Sequence, residues 1–462
     1  MKRLIKISAI IAAAAAYLAA AANPDSPQAP EKVSSGRAPY ATEIRVCASL
    51  AESGAAGFPE SKYIRPITEW LHNDGTLKSH FAVPFAWINR QVVLHVEWAT
   101  SGYTIEIDGK EVASTRSGMV PSDFVITRAV KEGRNEIRIR PYADASEGVL
   151  SPAAGGEFRT GRIYVQSPAP VRVRDIVTRT TMSADGGASA EIGIVMKSEM
   201  LNPKDMRVHY ELLADDTVRL HHGIKELTLG MRQEDTVRFA VRVADSCLWS
   251  LRNPRMLRLD VRTQNNGRYL ENETFRFGLS QVQVTDNGLV EINGTPTGLI
   301  MADVEPDATA EQIAALRDEG YNTVHPRVGI VDRSLYDICD SIGMYVVAQI
   351  PVSTAKWGES RRVGGNPSND DRWIDSYVDR AEGVYHALKL HPSVVAFSIA
   401  DDSANGICLY ETYLRMKSFG DSRPMVYDSA AGEWNSDLLR RFSSPAEAGL
   451  TPDMYELPAE FQ

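Results

Sequence analysis

The chain has little cysteine. Cys47, Cys247, Cys339 and Cys408 are scattered through 462 residues, and none forms a C-x-x-C pair. That spacing excludes a disulfide-dense scaffold and a zinc finger-type site. No histidine sits beside these thiols in sequence, so a cysteine nucleophile has nothing to activate it. A long basic run is also missing. With 50 Lys+Arg against 60 Asp+Glu the formal net charge is −10, so nucleic acid is excluded as a partner. Long hydrophobic runs are confined to the N-terminus, so no membrane span is expected after that segment is removed. No metal and no cofactor is expected. Composition is otherwise that of a soluble globular protein, with 43% hydrophobic and 24% charged residues.

The N-terminal run reads as a signal peptide over residues 1–22. Lys2, Arg3 and Lys6 form a positive start, the stretch from Ile7 to Ala22 is apolar, and Ala20-Ala21-Ala22 offers an A-x-A cleavage site. No cysteine lies near that site, so the expectation is a periplasmic or secreted protein that is not a lipoprotein. Residues 23–41, rich in Pro, Ser and Ala, read as a flexible leader.

The remainder of the chain is β-rich at first, then alternates strand and helix. Residues 42–168 hold alternating strands such as "VVLHVEWAT", "YTIEIDGKEV" and "GRNEIRIRPY", with Asp108-Gly109 as a hairpin signal. They point to a β-sandwich. Residues 169–284 repeat the pattern in "VRVRDIVTRTTM", "ASAEIGIVMKS", "MRVHYELLAD", "DTVRFAVRV" and "RMLRLDVRTQ", which fits an immunoglobulin-like sandwich. Residues 285–462 change rhythm. "GLIMAD", "YNTVHPR", "YVVAQIP", "VVAFSIAD" and "PMVYDSA" are strands. They alternate with helices "TAEQIAALRDEG", "DRSLYDICDSIG", "RWIDSYVDRAEGVYHALKL", "LYETYLRMKSFG" and "DLLRRFS". Such βα units build a parallel sheet, here part of a (β/α)₈ barrel. "LTPDMYELP" is a possible sixth strand. The stretch is short against the about 250 residues of a whole barrel. Two sheet edges are therefore expected to stay open, covered by a homodimer or another protein.

Several motifs in order resemble glycoside hydrolase family 2, the β-galactosidases, β-glucuronidases and β-mannosidases. "PFAWINRQVVLHVEWATSGYTIEIDGKEV" resembles the family's sugar-binding jelly roll. "SCLWSLRNPRMLRLDV" and "FRFGLSQVQVTDNGLVEINGTPTGL" resemble the passages through the second domain into the barrel. "GYNTVHPRV", "YDICDSIGMYVVAQ" and "HPSVVAFSIADDS" resemble the barrel signatures G-x-N-A-V-R-T-S-H, Y-D-L-C-D-E-x-G-x-x-V-x-x-E and H-P-S-V-I-x-W-S-x-G-N-E-S. The resemblance implies a multidomain protein of jelly roll, immunoglobulin-like domain and incomplete TIM-type barrel, with a carbohydrate ligand.

It also implies which residues would act. Retaining β-glycosidases use two carboxyl groups about 5–5.5 Å apart. The family's acid/base is the Glu of "NE" after the fourth barrel strand, and its nucleophile is a Glu after the seventh. Here "NE" reads Asp401-Asp402. Asp402 takes the acid/base position with an arm one methylene short, and a small misplacement can cost about 10²-fold. Asp401 puts an acid where the family has a sugar-binding amide. Equally, both are solvated loop acids. His325 replaces the Arg of "RTSH", Val328 its His, and Gln349 the acid of "VxxE". Asp303, Glu305 and Trp357, the last in the long polar loop after the third strand, are candidate ligand contacts. In the first sandwich Trp87, Trp98 and Tyr103 either stack on sugars or fill the core. No counterpart of the seventh strand is found. The resulting expectation is a pseudoenzyme of carbohydrate binding or scaffolding. The alternative is an active or partner-complemented β-glycosidase using Asp402.

Overall fold

The computed structural model describes residues 27–55, 57–143, 148–151, 157–183, 186–362 and 364–448. The expected signal peptide and the "LTPDMYELP" strand lie outside the described residues.

The first region is a pair of antiparallel sheets around one core. A six-stranded sheet runs in the order Ser34–Ser35, Lys110–Thr115, Tyr103–Ile107, Gly133–Pro141, Thr76–Val83, Leu71–Asn73. It faces a four-stranded sheet of Ile64–Pro66, Ile163–Gln166, Val93–Val96 and Ser122–Val125. Alternation explains the packing: Tyr103, Ile105 and Ile107 point inward and are buried, while Thr104 and Glu106 are not. Asp108 and Gly109 adopt positive φ of 47° and 80°, which matches the right-handed strand twist and closes the hairpin. Trp87 and Tyr103 are fully buried in this core. The expectation that they might stack on sugars is therefore corrected, because no face of either ring reaches solvent. Half-buried Trp98 packs on Gly161, where a Cβ would stand 2.7 Å from the indole nitrogen.

The leader is corrected as well. From residue 27 onward it belongs to the fold: Ser34 and Ser35 pair with Thr115 and Ser114. Arg37 makes a two-pronged ion pair with Asp379, which also accepts from Ser117 Oγ at 2.6 Å. A buried guanidinium–carboxylate pair outweighs the disorder that Pro and Ser suggest.

The second region sets a three-stranded sheet (Val171–Met182, Ala188–Ser198, Glu234–Val243) against a four-stranded one (Val218–Leu229, Lys204–Ala214, Leu257–Asn265, Arg268–Phe277). The mostly exposed Val218–Leu229 strand escaped sequence reading because it lacks an apolar face.

The third region is a parallel sheet. Its strands are β1 (Leu299–Val304), β2 (Thr323–Pro326), β3 (Tyr345–Gln349), β4 (Val394–Ser398), β5 (Met425–Val426) and β6 (Arg441–Phe442). They lie in the spatial order β5-β4-β3-β2-β1-β6, all parallel. The first four are joined through α1 (Ala310–Asp318), α2 (Arg333–Ile342) and α3 (Ile374–Leu388), and α4 (Ile407–Lys417) leads into β5. Helix ends match the sequence signals. Thr309 and Gln312 form a reciprocal capping box, and Gly343 closes α2 in the left-handed region. All five residues of β3 and of β4 are buried, as parallel strands covered on both faces must be. One face packs on the helices. The other shares a core with Trp249, Leu251, Val282 and Val290, so the curl of the sheet is filled rather than hollow.

One expectation fails at the sheet's edge. "DLLRRFS" is not a helix: Arg441 and Phe442 pair with Leu299 and Ile300, so β6 takes the outer side of β1. Phe442 is buried with Leu289 and Ile300. At the opposite edge, residues just upstream meet β5. Asp437 N–H donates to the Met425 carbonyl, its carboxylate accepts from Met425 N–H, and Ser436 Oγ accepts from Tyr427 N–H, each at 2.8 Å. One short segment thus satisfies backbone groups at both edges, because leaving them unpaired is costly. Among the described residues no helix is long and apolar enough to cross a membrane.

Candidate functional site

The C-terminal ends of β1, β2 and β3 bring three expected residues into a row. Asp303 and His325 are cross-strand partners. His325 Nδ1 lies 3.5 Å from the Asp303 carboxylate, and its Nε2 is 2.9 Å from Gln349 Oε1. Gln349 is buried and donates its amide to the Ile350 carbonyl at 2.7 Å. That bond fixes which way the Gln349 oxygen points, and hence the imidazole. The result is a carboxylate–imidazole–amide chain open to solvent at Asp303, whose side chain is 62% exposed. Glu305 pairs loosely with Arg327 at 3.6 Å, both exposed. Half-buried Val328 offers no polar group.

Asp401 and Asp402 come directly after β4. Their backbone is held firmly. Asp401 N–H donates to the Val352 carbonyl at 2.9 Å, and the Asp402 carbonyl accepts from Thr354 N–H at 3.0 Å. Both carboxylates are exposed, and neither has a hydrogen bond or ion pair among the described residues. Nothing among those residues links them to the His325 row.

Trp357 does not stand free in its loop. Its indole N–H donates to the Val149 carbonyl at 3.2 Å, and neighbouring Lys356 donates to the Gly148 and Ser151 carbonyls. Buried Asn366 ties the loop to itself, bonding Thr354 and Gly358. The long polar loop after β3 is therefore pinned to the first region, and its half-buried Trp357 sits at that junction.

Three site residues escaped sequence reading. Tyr427, after β5, donates its hydroxyl to the Ser403 carbonyl. Burial, with a contribution from Asp402's charge, pushes this phenol up to about 12. Asn405 and Asn435 exchange amide hydrogen bonds at 2.8 and 3.0 Å, both fully buried. Tyr427 could have been found from its place at the end of a barrel strand. The asparagine pair leaves no signal, because its partners are 30 residues apart. One further group gathers potential cation ligands: Asp337, Asp340 and His391 come within 4.8 Å, before β4 rather than after it. There Asp340 already accepts from His391 Nδ1 at 2.7 Å and from Ser393 N–H at 3.1 Å.

Residues 304–458 match the family model "Glycosyl hydrolases family 2, TIM barrel domain". The chain is 23% identical over 397 residues to a β-galactosidase of Priestia megaterium, covering 80% of this chain and 37% of that protein. It is 21% identical over 369 residues to one of Erwinia tasmaniensis, covering 75% and 35%. The chain thus spans little more than a third of these relatives' length. Among solved structures, a family 2 member from Bacteroides cellulosilyticus superposes with TM-score 0.64 at 16% identity, covering 76% of this chain and 49% of that one. Bacteroides uniformis β-glucuronidase 2, bound covalently to a cyclophellitol-6-carboxylate aziridine, gives 0.64 at 14%, covering 85% and 52%. Residues 304–458 thus resemble the TIM-barrel domain of glycoside hydrolase family 2, and the chain as a whole is similar to proteins of that family.

Proposed function

We propose that the chain binds a β-linked neutral sugar at the C-terminal face of its barrel sheet and hydrolyses it poorly or not at all. The observation that carries this reading is the state of the Asp401-Asp402 pair. The backbone that presents it is wired in place, yet Asp402 has no hydrogen-bonding partner among the described residues to orient a proton donor. General acid catalysis needs such placement to yield its typical 10²–10⁴-fold. The Asp303–His325–Gln349 row supplies oriented polar groups for sugar hydroxyls instead. In this reading the first region is the sugar-binding-like jelly roll and the second the immunoglobulin-like domain. The protein is exported after cleavage before Asn23 and serves as a binding protein or scaffold.

Titration of the full chain with a non-hydrolysable thio-β-galactoside tests this. Saturable binding that weakens about tenfold in His325→Ala, the loss of one oriented hydrogen bond, is expected. No binding, or binding indifferent to His325, would sink it. The similarity to β-galactosidases favours a second reading. There Asp402 is the acid/base of a glycosidase whose nucleophile comes from outside the described residues or from a partner chain.

A further inference from the structure

A second recess lies at the other end of the sheet. His391 and Pro392, which precede β4, line it together with Arg179 of the Val171–Met182 strand, and its volume is about 330 Å³. β4 alone puts roughly 17 Å between this end and the Asp401-Asp402 end. The cleft therefore sits in the seam between the second region and the barrel, apart from the site above. Its size is at the lower bound for small-molecule pockets.

Its chemistry departs from that of the chain as a whole. Acids outnumber bases in the sequence by 60 to 50, yet the ionised groups lining the cleft are Arg179, Lys389 and Arg423 against Asp421 alone. Two of the cations are compensated. Lys389 pairs with Asp175 at 2.6 Å, and Arg423 with Asp421 at 2.5 Å. Arg179 makes no ion pair among the described residues: its guanidinium donates to the Gly420 carbonyl at 3.1 Å, and Glu191, its cross-strand partner, is not bonded to it. A guanidinium bonded only to a carbonyl keeps donors free for a second, anionic acceptor. Thr181 lies on the same face of the strand as Arg179, and Ser422 lines the cleft from the barrel side.

We infer that this seam binds a small sugar bearing one anionic group, a sugar acid or a sugar phosphate. Arg179 takes the charge and the hydroxyl residues take the polyol. Such a ligand touches both regions, so it stiffens their junction and raises the melting temperature by mass action. The inference stands apart from the reading of the barrel's other face.

Thermal melts and titration calorimetry of the full chain test it, with glucuronate, glucose 6-phosphate, inorganic phosphate and neutral glucose as probes. Glucuronate or glucose 6-phosphate should raise the melting temperature, and whichever does so identifies the anion. Glucose should bind about tenfold more weakly, the worth of one charge-assisted hydrogen bond. Arg179→Ala should remove the preference for the anionic sugar and Arg179→Lys should keep part of it. Arg179 is exposed, so neither change threatens folding. Asp402→Asn should leave the effect intact. A preference for the anionic sugar over glucose that survives Arg179→Ala, or no response to either anionic sugar, overturns the inference. Inorganic phosphate acting as strongly as glucose 6-phosphate overturns its sugar half.

Discussion

Two pairs of acids lie close together in this chain and meet opposite fates. Asp401 and Asp402 stand after β4 in solvent, with no partner among the described residues. Glu271 and Glu273, two apart on one strand of the second region, face inward and are each 1% exposed. Glu271 accepts from Ala169 N–H and from Arg90 at 3.1 Å, which ties the first region to the second. Both oxygens of Glu273 are buried with no hydrogen-bond donor. Burial, reinforced by the charge of Glu271, holds the Glu273 carboxyl well above the ordinary glutamate value of 4.5. Neighbouring acids in a sequence thus say little alone. The pair that resembles a catalytic motif is solvated, and the pair with strongly perturbed titration is structural.

The largest break in that contrast is Glu271→Ala. It strands the buried Ala169 N–H and takes the carboxylate from Arg90, whose guanidinium keeps its bonds to the Ser167 carbonyl, and removing one partner of a buried ion pair costs about 3–5 kcal/mol. Urea denaturation should show a loss of that size. Glu273→Gln sharpens the same point through pH. The folded state holds the Glu273 proton more tightly than the unfolded chain. Stability is therefore fullest below about 4.5 and declines as pH rises from there toward the raised folded value. Melting temperatures across acidic to mildly alkaline pH should fall in the parent. They should fall less in Glu273→Gln, whose amide never has to ionise. A parent curve as flat as the variant's would contradict the burial assigned to Glu273.

Asp437 is the intermediate case. It is half-buried, pairs with Lys417, accepts from Tyr413 at 2.8 Å and caps Met425 N–H at the β5 edge. Asp437→Ala should cost about 2 kcal/mol, several hydrogen bonds' net worth, in the same denaturation assay. Asp401→Asn and Asp402→Asn should each shift stability by less than about 0.5 kcal/mol, as exposed, unpaired side chains do.

Where the sequence was readable, local chemistry decided the outcome. The capping box at Thr309, the Asp108-Gly109 turn and the alternating strand from Val171 to Met182 are all set by neighbours within a few residues. The motif from His391 to Ser403 also placed β4 and its terminal acids correctly. What stayed hidden depends on distant partners. Ser34–Ser35 is a strand only because Thr115 and Ser114 offer an edge, and Arg441–Phe442 only because β1 does. The Trp357 loop reads only as long and polar, and the Val149 and Gly148 carbonyls that hold it lie 208 residues away. Phe275 and Phe277 mark the face that Glu271 and Glu273 share as the buried one, but nothing local reports the distant groups, Arg90 and Ala169 N–H, that meet Glu271 there. Of the candidate site, Asp303, His325 and Gln349 were named singly, but their row is set by strand register alone.

The most direct measurement is hydrolysis of an aryl β-galactoside by the full chain and by Asp402→Ala side by side. The expected result is trace turnover, equal in the two proteins, because no hydrogen-bonding partner among the described residues positions the Asp402 carboxyl. Steady turnover that disappears in Asp402→Ala would contradict this and make the acid after β4 a working general acid.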